Sequence, residues 1–265
     1  MRLPSTRASA AASVDLPLWP PILATRGQGS FSALHAHHAM HLLLAFEGEV
    51  RVRTRATARW THAAGVLSGP DVLHAIDARG ADILLTFFDP ESDAGQALRA
   101  VLSGPIRLLS NEQRHRLLRD AQAEAIMGAG GLEWTRRAVA MLGGAPVAAR
   151  RLIHPRVSKL LRILRTLPAA EDRSLQALAS AVGLSPGRLM HAFTASIGVT
   201  LRPYLAWLKL QRAAAAITTG TPLSQAAHAA GFADAAHMSR TFRRMLGISP
   251  SLLRRTSTWI PEPSQ

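Results

Sequence analysis

The C-terminal half of the sequence contains two similar segments, and this internal repeat restricts the fold more than any other feature. The first is SLQALASAVGLSPGRLMHAFTASIG at 174–198, and the second is PLSQAAHAAGFADAAHMSRTFRRMLG at 222–247. In each segment a glycine follows a leucine by eight residues, and a second glycine follows a phenylalanine by five. Self-similarity of this length predicts two copies of one small helical unit.

Each copy has the pattern of two helices joined by a short turn. Apolar residues at helical spacing run up to the first glycine, where a left-handed conformation can end a helix. A capping residue follows the turn, Ser185 in the first copy and Asp234 in the second, and Pro186 suits a first helical turn. The pattern predicts two helix-turn-helix motifs, whose second helix can enter the major groove of DNA. An ordinary helical bundle is the alternative interpretation.

The positive charge is concentrated in the same half of the chain. Residues 1–149 contain 15 Lys+Arg and 13 Asp+Glu, whereas residues 150–265 contain 16 Lys+Arg and 4 Asp+Glu. This asymmetry predicts that only the C-terminal half contacts a polyanion, with double-stranded DNA as the first candidate and an anionic membrane as the second. Two alternatives would explain the charge without a polyanion: a basic face that only contacts solvent, or a genome whose composition favours arginine.

The N-terminal half has a different pattern of apolar and turn-forming residues. Short apolar stretches separated by Gly, Pro and Asp over residues 30–90 predict a small antiparallel sandwich or barrel. Helical spacing follows, with Ser110 and Gln113 as a capping box. The predicted fold class is therefore α+β in two domains, an antiparallel β-barrel with added helices and an all-α domain. The chain has no cysteine, which excludes disulfides and thiolate metal sites.

The second repeat carries a family resemblance. AAHAAGFADAAHMSRTFRRMLGISPSLLRR resembles the DNA-binding domain of the AraC/XylS family of bacterial transcription regulators, and GVTLRPYLAWLKLQRA resembles the helix that connects the two motifs in that family. The likeness covers roughly residues 156–255. It implies a sequence-specific, DNA-binding transcription regulator.

The resemblance also implies which residues contact DNA. Family members reach bases from the early part of each second helix, which gives by position Gly187, Arg188, Met190, His191, Ala235, Ala236, His237 and Arg240. Arg188 and Arg240 are the expected base contacts, because an arginine fork matches the two acceptors of guanine. Ala235 and Ala236 can meet thymine methyl groups. Arg202, Arg243 and Arg244 are expected to hold phosphate.

The stretch LHAHHAMH at 34–41 contains four histidines. The spacing of Gly29, His35, His37, His41 and Gly48 resembles the first cupin motif, with histidine where that motif has glutamate. His74 is the candidate from the second cupin motif. In a strand, residues two apart point the same way, so His35 and His37 share a face. These four histidines are predicted to line an effector pocket; a bound divalent metal ion, or no ligand role, is the alternative.

Together these features predict a domain order and a function. The domains are a disordered leader at 1–20, a cupin-like effector-binding barrel at 21–92, a helical dimerisation or packing region at 93–142, a linker at 143–155, the DNA-binding domain at 156–255 and a tail at 256–265. The expected protein is a cytoplasmic, non-enzymatic homodimer without a required cofactor. Its expected partners are DNA, a small-molecule effector and RNA polymerase, with no membrane. A metal-dependent cupin enzyme fused to a helical module is the alternative.

Overall fold

The architecture was established from a computed structural model, which describes residues 22–119, 131–143, 153–166, 174–218 and 220–256. The predicted leader, most of the predicted linker and nearly all of the predicted tail lie outside these residues. Within them, two antiparallel sheets form the N-terminal part and helices form the C-terminal part, which confirms the predicted fold class. No helix in these ranges is long and apolar enough to cross a bilayer.

Nine strands are found in the described residues, and all neighbouring strands are antiparallel. The strands are β1 Ile22–Gln28, β2 Phe31–His35, β3 Met40–Ala45, β4 Val50–Arg53, β5 Thr61–Ala63, β6 Gly65–Ser68, β7 His74–Asp77, β8 Asp82–Phe88 and β9 Ile106–Leu109. One sheet has the order β1-β8-β3-β6-β9, and the other has the order β2-β7-β4-β5. Residues of both sheets share one apolar core, so the sheets pack face to face.

Strand β3 is central in the larger sheet and is buried along its whole length. Met40, Leu42 and Leu44 belong to a core on the outer face of this sheet. Leu43 belongs to the core between the sheets, and His41 lines a cavity on that side. Successive side chains of a strand point to opposite faces, so burial on both faces explains why the sequence here is a continuous apolar run.

Among the described residues, three helices cover the outer face of the larger sheet, α1 Asp93–Ala100, α2 Asn111–Leu118 and α3 Gly131–Met141. The capping box is confirmed, since the Ser110 side chain accepts from the Gln113 amide and the Gln113 side chain accepts from the Ser110 amide. Leu98 and Leu117 are buried in the core beneath these helices. Their apolar positions therefore serve packing within the chain.

Within the region predicted to be helical at 93–142, the segments with helical spacing leave out residues 106–109, and the strand found there was not predicted. These residues form β9, which extends the larger sheet by pairing with β6. Pro105 precedes the segment and the capping Ser110 follows it, which leaves four residues, too few for a stable helix. The open edge of β6 provides hydrogen-bond partners that a local pattern does not reveal.

Seven helices form the described C-terminal part, α4 Pro155–Thr166, α5 Leu175–Val182, α6 Pro186–Ile197, α7 Leu201–Thr218, α8 Leu223–Ala229, α9 Ala235–Leu246 and α10 Pro250–Thr256. One core joins α4, α5 and α6 to the first half of α7. A second core joins α8, α9 and α10 to the remainder of α7. Because α7 contributes to both cores, it connects the two units as one continuous helix.

The predicted caps and turns of both units are confirmed. The Ser185 side chain accepts from the Arg188 amide at 3.4 Å, and the Asp234 carboxylate accepts from the His237 amide at 2.6 Å. Gly183 and Gly231 have φ of +69° and +81°, the left-handed region in which glycine ends a helix without a steric penalty. The pairs α5–α6 and α8–α9 are therefore two helix-turn-helix motifs.

Candidate functional site

The second helix of each motif presents its predicted DNA-contacting residues to solvent. Gly187, Arg188, Met190 and His191 are exposed on α6, as are Ala236, His237, Arg240, Arg243 and Arg244 on α9. Ala235 is half-buried and packs against the second core. Arg202 is exposed in the first turn of α7. Each predicted residue except Ala235 is thus available to an external partner.

Helical periodicity produces this exposed face. On α9, Met238, Phe242 and Met245 are buried at spacings of four and three residues, which directs the arginines to the opposite side. On α6, Leu189 and Phe193 are fully buried in the first core. The apolar residues that the repeat has in common therefore fix the helices, and the residues between them form the free surface.

The predicted histidine pocket lies between the two sheets, where strands position three of its members and the loop before β3 positions His37. His35 and His74 are direct partners across β2 and β7, with ring centroids 4.4 Å apart. The His37 ring lies 5.3 Å from those of His74 and His41, and the His41 and His74 rings are 4.8 Å apart. All four side chains are buried. The structure therefore assembles the four predicted histidines into one cluster.

Hydrogen bonds to main-chain carbonyls orient three of these rings. The Nδ1 atoms of His35, His37 and His74 lie 2.7, 2.8 and 2.7 Å from the oxygens of Ala33, Ala39 and Val72. A carbonyl oxygen can only accept, so each Nδ1 donates its proton and each Nε2 keeps its lone pair. One ring nitrogen from each of these three residues lies within 4.8 Å of the others, so the group can hold a metal ion.

The cluster is electrically neutral near pH 7. Burial lowers the pKa of His37 and His41 well below 6.5, and the neighbouring histidines add to the effect. Burial and His35 lower the pKa of His74 to about 4, and burial also lowers the pKa of His35. In the region the structure describes, neither nitrogen of His41 has a hydrogen-bond partner. The imidazoles are therefore neutral, and each keeps a lone pair on one ring nitrogen.

His38, in the loop between β2 and β3, faces away from the cluster. Its two ring nitrogens lie 2.9 Å from an Asp71 oxygen and 3.0 Å from a Glu91 oxygen. Burial opposes the charged ring, but the bonds to these two carboxyl groups outweigh burial and raise its pKa to about 9. His38 is therefore part of a buried ion-pair group, separate from the neutral cluster.

The histidines line a cavity of about 100 Å³. The rest of its wall is mainly apolar and includes Leu43, Ile76, Leu85 and Phe87 from the sheets. Four further wall residues come from the C-terminal domain: Leu246, Ile248, Leu252 and Leu253. The end of α9 and the start of α10 therefore close a pocket that the sheets alone leave open.

Other contacts join the same two domains. Trp207 of α7 stacks on His37 at 5.8 Å, and Gly247, directly after α9, accepts a hydrogen bond from the Ala33 amide at 3.4 Å. Arg165 of α4 pairs with Asp89 at 3.0 Å. Sequence reasoning missed all of these contacts and the four apolar wall residues, because no local pattern marks a residue that packs against a distant domain.

Comparisons with known proteins agree with this architecture. Residues 178–256 match a family of helix-turn-helix domains. The arabinose operon regulatory protein of Escherichia coli (strain K12) is 30% identical over 115 residues, which are 40% of this chain and 38% of that protein. The transcriptional activator NphR of a Rhodococcus species is 33% identical over 103 residues, 37% of this chain and 30% of NphR. The matched part of the chain thus spans less than half of these relatives.

A solved structure shares the whole fold. An apo variant of ToxT from Vibrio cholerae strain SCE256 superposes with a TM-score of 0.61 at 10% identity, covering 91% of this chain and 100% of the ToxT chain. The fold and its exposed surface define a two-domain protein in which a double helix-turn-helix unit packs on an antiparallel β domain. In its C-terminal unit the chain is similar to helix-turn-helix domains and to the two bacterial regulators named above.

Proposed function

We propose that this protein is a sequence-specific DNA-binding transcription regulator that responds to a small-molecule effector. The observation that carries the proposal is the pair of capped helix-turn-helix motifs, each exposing an arginine on the helix that can enter DNA, in the half of the chain with 16 Lys+Arg and 4 Asp+Glu. The proposal gives the histidines no catalytic role.

The exposed residues divide into two kinds of contact. We propose that Arg188 and Arg240 contact bases, because a guanidinium can bond both acceptors of guanine in the major groove. Gly187, Met190, His191, Ala235, Ala236 and His237 complete the surface that faces the groove. Arg202, Arg243 and Arg244 bind phosphate, which positions the protein without specifying sequence. The location of Arg202 supports this role, since a cation in the first turn of a helix is unfavourable unless an anion is nearby.

We propose that the effector binds in the cavity that His35, His37, His41 and His74 line. The cavity wall includes residues from both domains, so an effector there would contact the sheets and the end of α9 together. A ligand that favours one arrangement of the domains shifts the population toward it. A ToxT structure described as bound to an unsaturated fatty acid supports the idea that this fold accepts small molecules.

Three further properties belong to the proposal. The protein acts as a homodimer, it contacts RNA polymerase at its promoters, and it resides in the cytoplasm where its DNA target lies. In the region predicted to serve dimerisation or packing, Leu98 and Leu117 are buried in the chain's own core, so a dimer would use another face. Light scattering of the purified chain, with and without operator DNA, measures the oligomeric state.

The salt dependence of DNA binding tests the central proposal. The purified chain is titrated into labelled duplex DNA at ionic strengths between about 50 and 200 mM, a range over which several phosphate contacts change the affinity steeply. We expect log K to fall linearly with log salt, and Arg243→Ala to reduce the slope by about 1. Arg55→Ala, which removes an exposed arginine of the β domain, is the control with an unchanged slope. Salt-independent affinity of the parent protein would contradict the proposal.

A further inference from the structure

The smaller sheet exposes arginine and aromatic side chains on its outer face, whereas helices cover the outer face of the larger sheet. The arginine–aromatic face consists of Phe31, Arg51, Arg53, Trp60 and Arg79. We propose that this face is a docking surface for a short acidic segment of a partner protein. The inference concerns the β domain alone, so it goes beyond the proposed regulation of transcription and is tested without DNA.

Strand alternation explains why these side chains share one face. Val50 and Val52 of β4 are buried in the core between the sheets, so Arg51 and Arg53, which alternate with them, point outward. On β2, Ser32 lines the cavity between the sheets, and the adjacent Phe31 points the other way. The face is therefore built into the pleat of the sheet.

Aromatic rings and guanidinium groups stack on one another across the face. Phe31 and Trp60 meet edge to face, with ring centroids 6.3 Å apart. The Arg53 guanidinium lies 4.6 Å from the centre of the Trp60 ring, and that of Arg79 lies 5.4 Å from the centre of the Phe31 ring. Phe31 is 41% exposed. The face therefore offers apolar surface and cationic hydrogen-bond donors side by side.

One buried carboxylate orients two of the arginines. Asp77 is the cross-strand partner of both Phe31 and Arg51. Its oxygens accept from Nε and Nη2 of Arg79 at 2.9 and 2.8 Å, and also from Arg51. The Asp77 side chain is 4% exposed, whereas those of Arg51 and Arg79 are 44% and 65% exposed. One anion therefore holds two cations, which leaves an excess of positive charge toward solvent.

The chain around β4 adds more positive charge, although the N-terminal half as a whole is nearly neutral. Residues 49–62 contain four arginines and one acidic residue, Glu49. Arg53, Arg55 and Arg59 pair with no carboxylate among the described side chains. An anionic occupant is complementary to this charge. A second copy of the chain is disfavoured, because it would bring like charges together.

The residue types indicate a protein segment rather than a nucleic acid. Arginine and aromatic residues are enriched in protein interfaces, and tryptophan and arginine dominate their binding energy. The carboxylate of Asp77 would repel a phosphate and already bonds two of the arginines. Stable interfaces use roughly 20 to 30 residues a side, so a face of this size suits a short segment. Carboxylates beside an apolar side chain would match both parts of the face.

Peptide binding to the full chain tests the proposal at an ionic strength of about 150 mM, which screens distant charges. The probe is a labelled peptide in which glutamates flank two phenylalanines, one of them replaced by a photo-cross-linking analogue. The same peptide with glutamine in place of each glutamate, and single-stranded oligothymidylate, are the comparison probes. We expect tighter binding of the acidic peptide than of the glutamine peptide, with cross-links at Phe31, at 51–60 or at Arg79.

Matched arginine substitutions assign the contact. Arg53→Gln combined with Arg59→Gln should weaken binding of the acidic peptide about 10-fold or more, because arginine is among the residues whose loss costs an interface most. Arg26→Gln is the control, since Arg26 also stacks on a ring, that of Phe46 at 4.0 Å, and pairs with Asp82, but lies on the larger sheet. It should bind the peptide as the parent does.

Three results would overturn the proposal. They are unchanged peptide binding in the double variant, cross-links confined to the C-terminal helices, and oligothymidylate that displaces the peptide from the cross-linked residues. Cross-linking of the parent protein decides the question even if the double variant misfolds.

Discussion

Arg240 and Arg243 are three residues apart on α9, yet their positions suggest different contributions to DNA binding. Arg240 lies in the middle of the helix and near the Asp234 cap, whose carboxyl pKa is lowered mainly by the hydrogen bond from the His237 amide and also by Arg240. Arg243 lies in the last turn, where a cation also interacts favourably with the helix dipole. We propose that Arg240 contacts the groove and that Arg243 contacts the phosphate backbone beside it.

At the residue scale, we therefore predict that two substitutions affect DNA binding differently, one reducing sequence preference and the other reducing affinity for all DNA. Arg240→Ala should cost about 1 to 3 kcal/mol at the preferred site and little at unrelated DNA, because a bidentate contact to guanine is lost. Arg243→Ala should weaken both by a similar factor. Competition binding with selected and scrambled duplexes measures the ratio of the affinity for the preferred site to the affinity for unrelated DNA. If Arg240→Ala leaves the ratio unchanged, Arg240 is not a base contact.

At the element scale, the helices proposed to face DNA depend on their caps. The Ser185 side chain accepts from the Arg188 amide and so satisfies one of the free N–H groups at the start of α6. Arg188 is on that same first turn, so the cap also holds the backbone of a proposed base contact. The charged last turn of α9 is likewise closed by Gly247 in the left-handed region.

We predict that Ser185→Ala lowers the free energy of unfolding by about 1 kcal/mol, the usual cost of losing an N-cap. Ser185→Asp should retain most of the stability because its carboxylate can accept the same bond. Ser180→Ala, an exposed site inside α5, is the matched control and should have little effect. Urea unfolding gives the three values. Equal losses at Ser185 and Ser180 would show that the cap contributes nothing.

At the scale of the whole molecule, the turn after α9 joins the two domains. A Cβ on Gly247 would lie 2.8 Å from the Ala33 oxygen and 2.8 Å from His35 Nδ1. Gly183 ends α5 with nearly the same φ, but a Cβ there would meet only the end of the Arg156 side chain at 3.3 Å. The two glycines therefore share a backbone requirement and differ in the contact with the β domain.

This difference predicts the result of two alanine substitutions. Gly183→Ala and Gly247→Ala should each destabilise their own motif by about 1 to 2 kcal/mol through the left-handed backbone. Only Gly247→Ala should also separate the domains, because its methyl group collides with β2. Hydrogen exchange across residues 31–35 measures this, and we expect faster exchange in Gly247→Ala alone. Equal exchange in both variants would mean that the contact does not hold the domains together.

Several parts of this protein could be predicted from local sequence. The two helix-turn-helix motifs follow from residues within about ten positions of one another, through apolar spacing, the caps at Ser185 and Asp234, and Gly183 and Gly231 in the left-handed region. The common side of His35 and His37 was predicted from the two-residue period of a strand, but His37 lies two residues after the end of β2, so the loop conformation places it there. The roles of the exposed arginines and of the four histidines stay predictions.

The tertiary structure alone decided what closes the histidine cavity. Leu246, Ile248, Leu252 and Leu253 are more than 150 residues from the histidines in sequence, and they have the same apolar character as the residues of the cores. Likewise, β9 forms because the edge of β6 is free to pair with it, although the segments on both sides of β9 are helical. Periodicity and capping are local and therefore visible in a sequence, whereas the docking of one domain on another depends on the complementary shapes of surfaces that exist only after both have folded.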